Sequence, residues 1–63
     1  MEVGDKVVYT YNISNIEPRL LQRPQGVIIA MSNDKDIVAC NWAPKNGKEF
    51  YWVTRKCFIK QIK

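Results

Sequence analysis

The sequence predicts an all-β fold in which five short strands curl into one very small barrel. Three observations carry that prediction. Runs rich in β-branched and aromatic residues follow one another at short intervals, turn-forming residues separate them, and a 63-residue chain that is 46% apolar can fill one compact core. Residues 1–63 therefore read as a single domain. At this length folding hides only about 60% of the surface of the unfolded chain, so stability is marginal.

The first strand lies within residues 3–10, where Val7 and Tyr9 share one face and Lys6, Val8 and Thr10 the other. Gly4-Asp5 supplies the turn that admits the chain to the sheet. Residues 11–25 contain two prolines and no period of two, so they form a long connection. Within it, Ser14 followed by Glu17 has the form of a capping box, and a proline in the first turn is tolerated, which points to one helical turn near residues 16–21. Gly26 opens Val27-Ile28-Ile29-Ala30-Met31, an apolar run expected of a central strand buried on much of both faces.

The polar stretch Ser32-Asn33-Asp34-Lys35-Asp36 reverses the chain. Residues 37–42 pair back with Val38, Cys40 and Trp42 on one face and Ile37, Ala39 and Asn41 on the other. Pro44-Lys45-Asn46-Gly47 marks a second hairpin, because asparagine and glycine both tolerate positive φ. It delivers residues 49–54 antiparallel to the third strand. Residues 55–57 are too few for another strand and predict one 3₁₀ turn, which leads into a last strand over residues 58–62.

This order of signals resembles the SH3-like small barrels of the KOW and Tudor type. The residues that carry the resemblance are Val3-Gly4-Asp5-Lys6-Val7-Val8, then Gly26-Val27-Ile28, then Ile37-Val38 ending in Trp42, then a glycine-containing turn with Val53, and last Phe58 and Ile62. The resemblance implies a five-stranded SH3-like barrel with a long first loop and one 3₁₀ turn before the last strand. Such barrels bind DNA, RNA, ribosomal surfaces, peptides and partner proteins, so the resemblance implies a binding module without naming the ligand. Signalling SH3 domains carry an acidic loop after the first strand. Here that loop holds Arg19 and Arg23 against Glu17 alone, which disfavours recognition of basic proline-rich peptides. A plasmid-type dihydrofolate reductase is also built on such a barrel, but Glu49-Phe50-Tyr51-Trp52 stands where that family has Val-Gln-Ile-Tyr.

Several classes of chemistry are excluded from the outset. The chain has no histidine, and its two cysteines, Cys40 and Cys57, cannot supply the four ligands of a structural zinc site. No cofactor, metal or small-molecule substrate is expected, neither cysteine has a base beside it in sequence, and the chain reads as a non-enzyme. The cysteines are either free buried thiols or a single disulfide, and the missing signal sequence favours the thiols. No apolar run approaches the roughly 20 residues of a membrane span. A cytoplasmic location is the default expectation.

Charge gives the best functional signal. Residues 1–44 carry four basic and five acidic side chains, whereas Lys45, Lys48, Arg55, Lys56, Lys60 and Lys63 face Glu49 alone in the last third. These cations are expected to form one positive face able to attract phosphates. The bland alternative is that lysines merely solubilise an edge strand. In one strand register Phe50 and Trp52 point outward beside Lys48, as a platform on which bases stack; in the other they fill the core and Tyr51 and Val53 point outward.

The expectation is a small nucleic-acid-binding accessory domain, microbial or viral, with DNA or RNA held by Lys45, Lys48, Arg55, Lys56 and Lys60 and stacked on Trp52 or Phe50. The alternative is a protein-interaction module that docks through its aromatic patch and through Tyr11, Arg19, Leu20, Leu21 and Arg23 of the first loop. Leu20 and Leu21 either close the open end of the barrel or face a partner.

Overall fold

A computed structural model of the chain describes residues 1–12 and 17–62. It holds five strands in one antiparallel sheet: β1 Lys6–Tyr9, β2 Gln25–Met31, β3 Ile37–Ala43, β4 Phe50–Arg55 and β5 Ile59–Gln61, with 3₁₀ turns at Pro18–Gln22 and Lys56–Phe58. The strand order is β4-β3-β2-β1-β5, so the meander runs outward from β1 on one side and the last strand returns to pair on the other.

The core is made by alternation. Val7 and Tyr9 of β1, Ile28 of β2, Val38, Cys40 and Trp42 of β3, Phe50 of β4 and Ile59 of β5 all bury on the same face of the sheet. Leu20, carried by the first 3₁₀ turn, closes over them. Tyr9 meets Trp42 edge-on at 6.1 Å between ring centroids, the geometry that ring quadrupoles favour, and the indole nitrogen donates to the Trp52 carbonyl at 3.4 Å. Gly26 lies opposite Trp42 in the β2–β3 ladder. A Cβ there would come within 2.7 Å of Trp42 Cε3 and 3.0 Å of the Asn41 carbonyl oxygen, so the indole lies flat on β2 because position 26 has no side chain.

Several expectations shift. β1 starts at Lys6 rather than at residue 3, because Gly4 adopts φ 96° and its N–H donates to the Ile28 carbonyl at 2.8 Å, turning the chain before the strand begins. The predicted helical turn is a 3₁₀ turn at Pro18–Gln22. Its cap is Glu17 itself, whose carboxylate accepts the Arg19 N–H at 3.1 Å. Ser14, the other half of the expected capping box, lies outside the described residues. The second hairpin forms as expected, with six residues, 44–49, joining β3 to β4, although within them only Gly47, and not Asn46, takes positive φ.

β2 departs most. It is not buried on both faces, since Val27, Ile29 and Ala30 are exposed. The ladder with β3 shifts between Ile28 and Ala30, a bulge that leaves Ile29 without a partner and turns two consecutive residues to the same side. The last 3₁₀ turn starts one residue later than predicted, because Arg55 is still in β4 opposite Ile37.

Candidate functional site

With the inner face filled, the second register holds for β4. Phe50 is only 8% exposed and Trp52 packs part-buried against the core, whereas Tyr51 and Val53 point outward. The stacking platform expected of Phe50 and Trp52 is therefore corrected: Phe50 is a core residue, capped by the Arg19 guanidinium 3.9 Å above its ring. Trp42 is fully buried.

What the outer face presents instead is a set of exposed apolar side chains on three strands, with Asn41 and Arg55 among them. Val27 lies opposite Asn41, which lies opposite Tyr51; in the next row Ala30, Ala39 and Val53 stand side by side; Ile37 lies opposite Arg55. Val27, Ile29, Ile37, Tyr51 and Val53 are between 37% and 68% exposed. None of the five is directly opposite another, since Asn41, Ala39 and Arg55 are their ladder partners, but all five share the outer face of three neighbouring strands. Large exposed apolar patches of this sort mark interaction surfaces.

A small concavity of about 180 Å³ opens on the same face, bordered by Lys6, Val27, Asn41 and Glu49. Asn41 Nδ2 donates to Glu49 Oε2 at 3.2 Å, while Asn41 Oδ1 is buried and accepts nothing. A buried amide oxygen without a donor costs about 1–3 kcal/mol, a local polar cost carried here in the middle of β3. The concavity is small beside the roughly 300–1,000 Å³ of ordinary small-molecule sites. Among the described residues no three His, Cys, Asp or Glu side chains gather to hold a metal, and no helix is long and apolar enough to cross a membrane.

The described cations lie on three parts of the fold. Lys45 and Lys48 sit in the 44–49 connection at one end of β4, and Arg55 and Lys56 sit at the other, about 20 Å away along a six-residue strand. Arg55 pairs with Asp36 at 3.4 Å, and the Lys56 N–H donates to the Asp36 carbonyl at 2.7 Å. Lys60 lies on β5, the opposite margin of the sheet in strand order, across from Val8. Lys63 lies outside the described residues.

The first loop divides its candidates. Leu20 is core and Leu21 is exposed. Tyr11 is exposed with its ring stacked on Phe58 at 4.0 Å. Arg19 Nε and Nη2 each donate to Glu17 at 2.8 Å, a bidentate pair that holds the Glu17 carboxyl down at about 2. Arg23, at φ 54°, donates to Asn12 Oδ1 at 2.7 Å. Cys40 and Cys57 are both free; Cys40 is buried, which pushes its thiol up to about 11, but Cys57 is exposed, contrary to the expectation that both are buried.

Sequence reasoning passed over Val27 and Ile29 as surface residues because a run of apolar side chains was read as burial, whereas the outward setting of Tyr51 and Val53 is one of the two registers it left open. The signal was present in β3, where Ile37 and Ala39 alternate with Val38, Cys40 and Trp42. No protein-family model matches this chain, no curated protein matches it in sequence, and no solved structure matches its fold.

Proposed function

We propose that this protein is a small protein-interaction module, without a reaction of its own, that docks a partner on the outer face of β2, β3 and β4. The observation that carries the reading is that Val27, Ile29, Ile37, Tyr51 and Val53 are all exposed on one face of three neighbouring strands. We further propose that the sheet belongs to a small SH3-like barrel related to the KOW and Tudor type. Support comes from the meander in which β1 pairs with both β2 and β5 and a short 3₁₀ turn connects β4 to β5.

The test is a pull-down with tagged protein treated with nuclease. A stoichiometric protein partner that is retained by the parent chain and lost by Val27→Asp supports docking on this face. Partner recovery unchanged by Val27→Asp overturns it.

Nucleic-acid binding is the second reading. It is favoured by the net charge of +4 and by the exposure of Lys45, Lys48, Arg55, Lys56 and Lys60. With four or five phosphate contacts, the log-log salt slope on duplex DNA is about −4. Absence of binding to DNA and RNA at low salt, or binding indifferent to salt, removes it.

A further inference from the structure

β4 is a margin of the sheet, paired with β3 alone. The direction of its amides follows from one hydrogen bond. The Lys56 N–H donates to the Asp36 carbonyl, one step beyond the Ile37–Arg55 pair, so position 56 faces β3. In an antiparallel ladder the facing direction alternates, so positions 50, 52 and 54 face β3 as well, while the N–H and C=O groups of Tyr51, Val53 and Arg55 point away along the free margin. β4, at six residues, is twice as long as β5, and its first five, Phe-Tyr-Trp-Val-Thr, are rich in β-forming side chains and contain neither proline nor charge. Natural sheets rarely leave such a margin without a partner.

We infer that β4 pairs with β4 of a second copy of this chain, antiparallel across a two-fold axis, to give one continuous sheet whose outer faces merge. The inference deepens the docking reading and rests on it, because Tyr51 and Val53 belong both to the patch and to the margin. The register that sets Trp52 opposite its own counterpart is selected by charge. It places Tyr51 against Val53 of the partner subunit with both amides aimed across, and it places Glu49 against Arg55 of the partner subunit, twice by symmetry. Sliding by one hydrogen-bonded step sets Arg55 against Tyr51 of the partner subunit and leaves Glu49 without a cation. The selected register also opposes Lys48 to Lys56 of the partner subunit, but both lie beyond the strand ends, where water screens them. A strand-margin contact is small beside the about 1,200–2,000 Å² of stable interfaces, so the association is weak and depends on concentration.

Sedimentation equilibrium of the purified chain from about 5 µM to about 1 mM spans the range in which such a contact forms. The expected result is a mass rising from 7.4 kDa towards twice that value. Glu49→Arg and Arg55→Glu each weaken association about tenfold by setting like charges together, and the double exchange restores it. Val53→Pro removes a donor from the free margin while sparing the ladder to β3, and gives a folded monomer by circular dichroism. A parent chain that stays monomeric at about 1 mM, or a double exchange no better than either single change, overturns the dimer. A monomer that still captures its partner through the Val27 face leaves the docking reading standing, whereas a dimer with no captured partner sinks only that reading's foreign ligand. Should Val53→Pro fail to fold, the charge exchange decides alone.

Discussion

The two faces of β3 and β4 are built from similar residues and meet opposite fates. Val38, Cys40, Trp42, Phe50 and Thr54 are buried; one position away, Ile37, Tyr51 and Val53 stand in solvent. Composition does not separate the two sets. What separates them is cover: Tyr9, Leu20 and Ile59 lie over the inner face, whereas the outer face of this single sheet has nothing across it among the described residues. A side chain is buried by what packs on it, and an apolar residue in a one-layered sheet has an even chance of facing water.

The comparison is broken hardest from the inside. Trp42→Ala removes the largest fully buried side chain and should cost about 3–5 kcal/mol, enough to unfold most molecules of a domain this small, as a urea titration will read. Gly26→Ala forces a methyl group against the indole and the Asn41 carbonyl and should cost about 1–3 kcal/mol by the same measurement.

Next comes the Glu17–Arg19 pair. The hydrogen bonds from Arg19 lower the Glu17 carboxyl from 4.5 to about 2, so its contribution to stability is complete above pH 4.5 and is lost as pH falls towards 2. Thermal melting should fall across that window in the parent chain and fall less in Glu17→Gln.

On the outer face, Val27→Thr and Ile37→Thr should each change stability by no more than about 0.5 kcal/mol while weakening partner capture, the outcome that most sharpens the contrast. The thiols give the mildest test: with an alkylating reagent at neutral pH the folded chain should react once, at exposed Cys57, and gain the second adduct at Cys40 only on unfolding, as mass spectrometry will count.

Much of the fold was legible because period-two alternation is local. Val7 with Tyr9, and Val38 with Cys40 and Trp42, declare their face by spacing alone. The face of β4 was not legible, since Phe50, Tyr51, Trp52 and Val53 are all large and apolar. The partner of Trp42 in the ladder decides it, and that is Phe50. The exposure of β2 was hidden by its bulge, which breaks alternation at Ile29 where the residues read as a solid apolar run. The place of Lys60 depends on β5 pairing with β1, a long-range pairing that no sequence window contains. The non-glycine left-handed turns at Arg23 and Lys35 carry no signal in their residue types.

The β1–β5 pairing also sets the order in which the chain can mature. β1 lies between β2 and β5, and the Thr10 amide is bonded to the Phe58 carbonyl 48 positions away. During synthesis the β2–β3 and β3–β4 hairpins can zip first, but one whole flank of β1 must wait for residues 59–61. Closure of the sheet thus waits on its last strand, and a chain cut before residue 59 should remain protease-sensitive despite carrying nearly all of its core residues.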